Sequence, residues 1–280
     1  MKMFFDILCT DMVQNFHRDE SDETRNELSE CVILLRKEMA EIIAAAKAGY
    51  TYLKAPNNAD SNLCEEDWAL VRTSCFKQKF GDWEKSYKKN FLLHHDAVKQ
   101  LSGKEFERVP GKTLTELVAE FFVSIGGMAI SPLFGKVILD RNGADDSFAH
   151  GIGRNKAIAY AAVKEVIEQG VLIDFDKNHT NRNYDSAVLS APIEIAENRW
   201  ICSVVITKKE DNRFYLHEVV EQKKLSGEGS NTVLGQPQHP KAFAKILHDI
   251  VSASDMPQNF FDENGEPRLD ILHPLCDLAR

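Results

Sequence analysis

Apolar residues recur at helical spacing through the first part of the chain. Leu28, Val32, Leu35, Met39, Ile42, Ile43 and Ala46 fall three, four and seven apart, which predicts a helix over 22–49 with Gly49 as its stop. Residues 56–62 are a loop by composition, and a second helix starts near Cys64 and carries Trp68, Leu70 and Val71. Phe76 and Phe80 lie four apart, share a helical face and read as a staple onto the core. A third helix is predicted over 84–100, then a linker over 102–112 with Gly103, Pro110 and Gly111. Thr113 and Glu116 fit a capping box ahead of a helix over 113–125, in which Leu114, Leu117, Val118, Phe121 and Phe122 align.

Beyond Gly126-Gly127 the period shortens. Residues 134–140 read as a short strand, followed by turn residues Arg141-Asn142-Gly143. A helix over 155–169 places Ile158, Ala162 and Val166 in line, with Gly170 past its end. Strands follow over 171–175, 184–196, 199–208 and 212–222, the last three joined at hairpin length. The fold expectation is α+β: a helical N-terminal region, then a helix packed on a four-stranded antiparallel sheet. Residues 226–238 read as a flexible linker, 241–251 as a short amphipathic helix, and 262–267 as a turn near a loosely attached end. The division expected is a helical region over 1–110, an α+β domain over 111–225, and a linker, short helix and tail over 226–280.

Composition narrows the class. A 43% hydrophobic share with 28% charged residues suits a chain that buries a core. The formal net charge of -9 excludes a general nucleic-acid binder but leaves room for a local basic cleft. The six cysteines are scattered with no C-x-x-C pair, which points to reduced thiols and a cytoplasmic protein. The apolar start is broken by Asp6 and followed by Asp11, unlike a secretory leader, and no run reaches the length of a membrane span.

Candidate chemistry gathers between Ser147 and Glu221. His150 precedes Gly151-Ile152-Gly153 at a predicted helix start, and Arg154 and Lys156 follow in the first turn. Cations are disfavoured there by the helix dipole, so they make more sense if an anion visits. On the last strand, alternation puts Tyr215, His217 and Val219 on one face and Phe214, Leu216 and Val220 on the other. Two histidines, a tyrosine and nearby cations suit metal-independent cleavage of RNA. One histidine would take the 2′-hydroxyl proton, a second group would protonate the departing 5′-oxygen, and Arg154 or Lys156 would neutralise the phosphorane. Against this, a single histidine on a half-buried strand is commonly a hydrogen-bonded core residue, and Gly-x-Gly before a helix is a weak signal alone. His94-His95-Asp96 does not read as a metal site, because adjacent helical residues point about 100° apart. No acidic cluster has metal-binding spacing, so neither a metal nor a cofactor is expected.

These residues also carry a resemblance. His150-Gly151-Ile152-Gly153 with Lys156, Tyr184-Asp185-Ser186-Ala187-Val188 with Ala191-Pro192, and Asn212-Arg213-Phe214-Tyr215-Leu216-His217-Glu218-Val219 resemble domains attached to large polyvalent proteins of phages and conjugative elements. Similar domains occur at the C-termini of phage MuF-type head proteins. The likeness covers about 133–224. Arg72 to Lys77 with Phe80-Gly81-Asp82-Trp83-Glu84 is similar to a short module of the same proteins. Phe261 to Pro267 is similar to a hairpin that leads into an ADP-ribosyltransferase-like domain there, a domain not expected here because Leu269-Asp270-Ile271-Leu272-His273 departs from its usual opening. The resemblance implies the barnase, EndoU, colicin and RelE type of nuclease fold, acting on RNA as a toxin or effector. It implies His150, His217, Tyr215 and Lys156 as catalytic residues, and Gly151, Gly153, Arg154, Arg213 and Tyr184 around a phosphate. The partners expected are RNA or a host or immunity protein, with no membrane. The competing expectation is a non-catalytic interaction protein on the same fold, an inhibitor of a host defence or enzyme complex.

Overall fold

The computed structural model describes residues 22–148, 153–178, 183–208, 211–225 and 240–270, with the backbone alone at 22–31, 148, 224 and 240–242. The chain forms two compact units, Met1–Glu84 with Ser254–Arg280, and Lys85–Ala253. The predicted linker over 226–238 lies outside the described residues.

The first unit is built on α1 (Asp22–Ala48), α2 (Glu65–Leu70) and α3 (Ser74–Phe80). Leu35, Met39 and Ala46 of α1 are buried with Trp68, Leu70, Phe76 and Phe260, and Ile42, Ile43 and Phe80 pack against them. This is the apolar face that the helical spacing marked. Short helices need caps, and both have them. Cys64 Sγ accepts the N–H of Asp67, and Thr73 Oγ1 accepts the N–H of Phe76.

Arg72 stands at the centre of this unit with its side chain only 9% exposed. Its guanidinium lies 4.0 Å from the Trp68 ring centroid and 5.1 Å from that of Trp83. It donates to the carbonyls of Trp68 (2.9 Å) and Lys54 (3.2 Å). It pairs with Glu84 at 3.3 Å and with the fully buried Glu266 at 3.7 Å. Glu266 also accepts from Ser61 Oγ at 2.8 Å and from the Asn62 N–H at 3.1 Å. The tight turn that presents it is held by Asp262 Oδ1, which accepts the N–H groups of Asn264 and Glu266. The expectation of a loose end therefore fails for 262–267. The segment is polar because it carries the buried partner of Arg72, and its contacts with Ser61 span 205 residues of sequence.

In the second unit, the four strands read from the sequence are present as β4 (Val171–Asp176), β5 (Asp185–Ile195), β6 (Asn198–Lys208) and β7 (Asn212–Glu221), and β4–β5, β5–β6 and β6–β7 are antiparallel. They are part of a larger, seven-stranded mixed sheet curled into a half-barrel. The additions are β1 (Lys99–Leu101), β2 (Met128–Ser131) and β3 (Gly135–Ile138), in the order β1-β5-β6-β7-β3-β2, with β4 also on β5. β1 runs parallel to the end of β5, Lys99 opposite Ile193 and Leu101 opposite Ile195. β3 runs parallel to β7.

Three local expectations are corrected here. The helix predicted over 84–100 is α4 (Trp83–His94) and stops short, because the residues after it pair with β5. Arg141-Asn142-Gly143 is the first turn of α6 (Arg141–Phe148), which follows α5 (Leu114–Ser124) and is capped by Asp140 Oδ1 accepting the Gly143 N–H at 3.1 Å. The helix predicted over 155–169 is broken into α7 (Arg154–Ala159), a 3-10 turn at Tyr160–Ala162 and α8 (Val163–Gln169). Thr113 and Glu116 form the expected capping box on α5.

The helices α5 and α6 cover the β7 residue Phe214, which is 1% exposed and meets Phe122 edge-to-face at 5.4 Å. A buried serine pair, Ser190 Oγ and Ser203 Oγ, bridges β5 and β6 at 2.7 Å. Leu92, Val171, Ile201, Phe243 and Leu247 form a further cluster, to which α10 (Pro240–Val251) contributes Phe243 and Leu247. The short α9 (Gln222–Leu225) follows β7 directly.

Three stability outcomes follow. Arg72→Ala is expected to cost about 3–5 kcal/mol, because it strands Glu266 in the interior without its cation. Glu266→Gln should cost less, and thermal unfolding orders the two. Burial raises the Glu266 carboxyl above its ordinary value, against the opposing pull of Ser61 and Arg72. A raised carboxyl binds its proton more tightly in the folded state, so its contribution to stability falls as pH rises from the unfolded value through the folded one. Glu266→Gln should therefore flatten the wild-type loss of melting temperature over that acidic window. At Gly143, a Cβ would meet the Phe214 ring, with Cδ1 and Cζ at 2.8 and 2.9 Å. Gly→Ala inside a helix ordinarily gains about 0.5–1 kcal/mol, but overpacking a fixed core costs about 1–3 kcal/mol. Gly143→Ala should lower the melting temperature, and a rise would show that the ring yields.

Candidate functional site

The predicted site residues fall into separate groups. His150 and Gly151 lie outside the described residues. Gly153 is exposed and is the N-cap of α7, with no side-chain cap. Arg154, also exposed, donates to the carbonyls of Phe106 (3.1 Å) and Gly103 (3.2 Å). Arg213 pairs with Asp140 at 2.6 Å. Asp140 thus uses one oxygen to cap α6 and the other to hold β7, and Arg213 serves that joint.

Tyr215 and His217 are neighbours on β7, with ring centroids 6.2 Å apart and the planes at 78°. They do not keep simple alternation with the rest of the strand. Leu216 pairs with Val204, but Glu218 pairs with Ser203, so His217 is an extra residue in a one-residue bulge. Cys202 and Val204 share a face of β6, and their partners are Val219 and Leu216. Val219 therefore joins the face of Leu216, which corrects the placement of Val219 beside Tyr215 and His217. The inserted residue is turned toward α10, where the His217 ring meets Phe243 edge-on at 4.8 Å.

Burial sets the electrostatics around Tyr215. It pushes the phenol up to about 12, and the nearby Tyr184 and Asp146 push in the same direction by opposing a second negative charge. Tyr215 is half-buried and so is Tyr184, just before β5. The structure therefore joins Tyr184 to the Tyr215–His217 pair, and adds Asp146 from α6.

Lys156 belongs to a different set. It is half-buried on α7, within electrostatic range of Glu218 and of the fully buried thiol of Cys202. Burial pulls the Lys156 ammonium below its ordinary value, opposed by Glu218 and Cys202. Burial raises the Glu218 carboxyl, opposed by Lys156. It also pushes Cys202 up to about 12, so this thiol is not a nucleophile in this setting. Each charge of the Lys156–Glu218 pair is made costly by desolvation and tolerable by the other.

Sequence reasoning missed Glu218, Asp146 and Asp140. Glu218 was legible only as the residue after His217 in the Tyr-Leu-His-Glu run. Strand alternation gives no hint that a bulge will bring an acidic neighbour into range of a lysine on another element. Among the described residues, no group of three or more His, Cys, Asp or Glu side chains is placed to hold a metal ion. No helix among them is long and apolar enough to cross a membrane.

A cleft of about 570 Å³ in this unit is lined by the 103–117 segment and the start of α7, and Tyr215 is not among its lining residues. No protein-family model, curated protein or solved structure matches the chain.

Proposed function

We propose that the second unit is a metal-independent endoribonuclease-like domain of phage or mobile-element type, acting as a toxin or effector. The observation that carries this reading is the Tyr215–His217 pair, 6.2 Å apart on one strand. His217, with His150 as its partner, takes the proton of the RNA 2′-hydroxyl. The 2′-oxygen attacks the adjacent phosphorus, and the bond from phosphorus to the 5′-oxygen breaks. Tyr215 gives its proton to that departing oxygen, for which a phenol held at about 12 is always charged with a proton at neutral pH. The products are a 2′,3′-cyclic phosphate and a free 5′-hydroxyl, and no redox partner is needed. Lys156, set apart beside Glu218, contributes positive charge to the phosphorane at longer range. The substrate is RNA, whose 2′-hydroxyl the chemistry requires.

The second reading is a non-catalytic interaction module that binds a host protein. It is favoured by the engagement of both predicted phosphate arginines, Arg213 with Asp140 and Arg154 with two backbone carbonyls. Stoichiometric capture of a host protein by His217→Ala, without any RNA cleavage by wild type, would establish it.

Two outcomes test the first reading. Tyr215→Phe should reduce cleavage of a defined RNA by about 10²–10⁴-fold while leaving the melting temperature within a few degrees. Equal cleavage by wild type and variant would remove Tyr215 from the reaction. Lys156 acts only when charged, and its value is lowered, so cleavage should fall as pH rises through a point below the ordinary lysine value. Lys156→Arg keeps its charge to higher pH. The alkaline limb of the pH–rate profile should move upward in that variant, and an unmoved limb would assign it to another group.

A further inference from the structure

We infer that the cleft between the 103–117 segment and α7 binds a small organic anion, an apolar ring joined to one phosphate or carboxylate. The cleft measures about 570 Å³, inside the range of about 300–1,000 Å³ that small-molecule sites occupy. Its walls divide by chemistry. Phe106, Leu114, Leu117 and Ala157 give it an apolar side. Arg108, Lys112 and Arg154 face it with only Glu107 in opposition. Even with Lys112 neutralised by Glu120, two cations stand against one carboxylate, a local reversal in a chain of net charge -9. A field of that sign concentrates anions from solution and repels cations.

The cations are not equivalent. Lys112 is neutralised by Glu120, whose two oxygens lie 2.6 and 2.7 Å from its Nζ. Arg154 donates to two uncharged carbonyls, so its charge is retained. Arg108 is exposed and makes no ion pair among the described residues. Arg108 thus remains to meet one phosphate or carboxylate, the anions its fork geometry matches, while Arg154, with Nη1 and Nη2 held by the two carbonyls, adds its charge alone. Glu107 on the same rim works against a long polyanion and favours a compact ligand with a single charged end.

The wall is fixed before a ligand arrives. Phe106 is a bulky residue held at φ 55, in the left-handed region. The strain is sustained by Arg154 clamping the Phe106 and Gly103 carbonyls, and by Glu105, which accepts from the N–H groups of Ser102 (2.7 Å) and Gly103 (3.0 Å). The Phe106 ring is set edge-to-face on Phe121 at 5.5 Å and on Tyr160 at 6.5 Å, yet stays half-buried and reaches the cleft. Strained backbone kept in place beside a cavity is a mark of a pre-organised site. A fixed wall lowers the ordering cost of binding. This inference does not rest on the cleavage reading, since Arg108 and Phe106 take no part in that chemistry.

The test is isothermal titration of the full chain with adenosine 5′-monophosphate, 2-naphthoate, adenosine and inorganic phosphate. The first two join ring and anion, from a nucleotide or an aryl carboxylate source, and at least one should bind with Kd below about 1 mM. Whichever binds identifies the source. Adenosine and inorganic phosphate, each lacking one half, should bind at least tenfold more weakly. Arg108→Gln should weaken the binding ligand at least tenfold with an unchanged melting temperature, and Leu117→Glu should abolish it. Saturation by neither ring-bearing anion at millimolar concentration would overturn the inference. So would adenosine binding as well as its monophosphate, or an Arg108→Gln variant that binds like wild type.

Discussion

The pairing of β6 with β7, and its one-residue slip at His217, is the constraint on which the second unit depends. Before the slip, Phe214 and Leu216 point into the core beneath α5 and α6. Ser147 Oγ accepts the Leu216 N–H at 2.8 Å and donates to the Gly143 carbonyl at 2.7 Å, tying α6 to the strand at the bulge itself. After the slip, the register has moved by one, and Val219 takes the core side that simple alternation gives to Val220. A bulge satisfies the ladder with one residue left over, and that residue is free to be chemically unusual. Here it is a histidine, with a tyrosine before it and a carboxylate after it.

The first unit depends on a comparable device of a different kind. A buried arginine is expensive unless its donors and charge are satisfied, and Arg72 is served by two carbonyls, two carboxylates and two indole rings. Trp68 Nε1 donates to the same Lys54 carbonyl that Arg72 uses, at 3.0 Å. Trp83 Nε1 donates to Val71 O at 2.7 Å. The rings are therefore fixed by their polar ends while their faces receive the cation. The C-terminal turn enters this unit as a ligand would, through one carboxylate.

Charge is distributed unevenly. A net charge of -9 coexists with a cleft whose rim is cationic, and with a half-buried lysine and glutamate within electrostatic range of each other. Whole-chain charge excludes a uniform basic surface, and it leaves individual sites undetermined. The Lys156–Glu218 pair and the Arg108–Arg154 rim lie on opposite sides of that distinction. The first is a half-buried pair in which each charge moderates the other. The second is an exposed pair of cations, neither in an ion pair among the described residues, with Glu107 on the same rim.

The sequence by itself determined the elements with strong local signals. The apolar stripe of α1, the Thr113–Glu116 box and the four long strands all rest on spacing that neighbouring residues complete among themselves. Tertiary structure decided whatever needed a distant partner. β1 has three residues, too few to show alternation, and becomes a strand because the end of β5 offers it backbone groups. Glu266 looks like a surface turn residue until Arg72 and Ser61 enclose it. Arg154 and Arg213 read as anion ligands because their residue type suits phosphate. Carbonyls and a carboxylate on other segments engage both, which spacing along a chain does not report. The Tyr215–His217 adjacency was legible, but the bulge that inserts His217 was not. A slip in register belongs to two strands at once, and only one of them is visible in a local stretch of sequence.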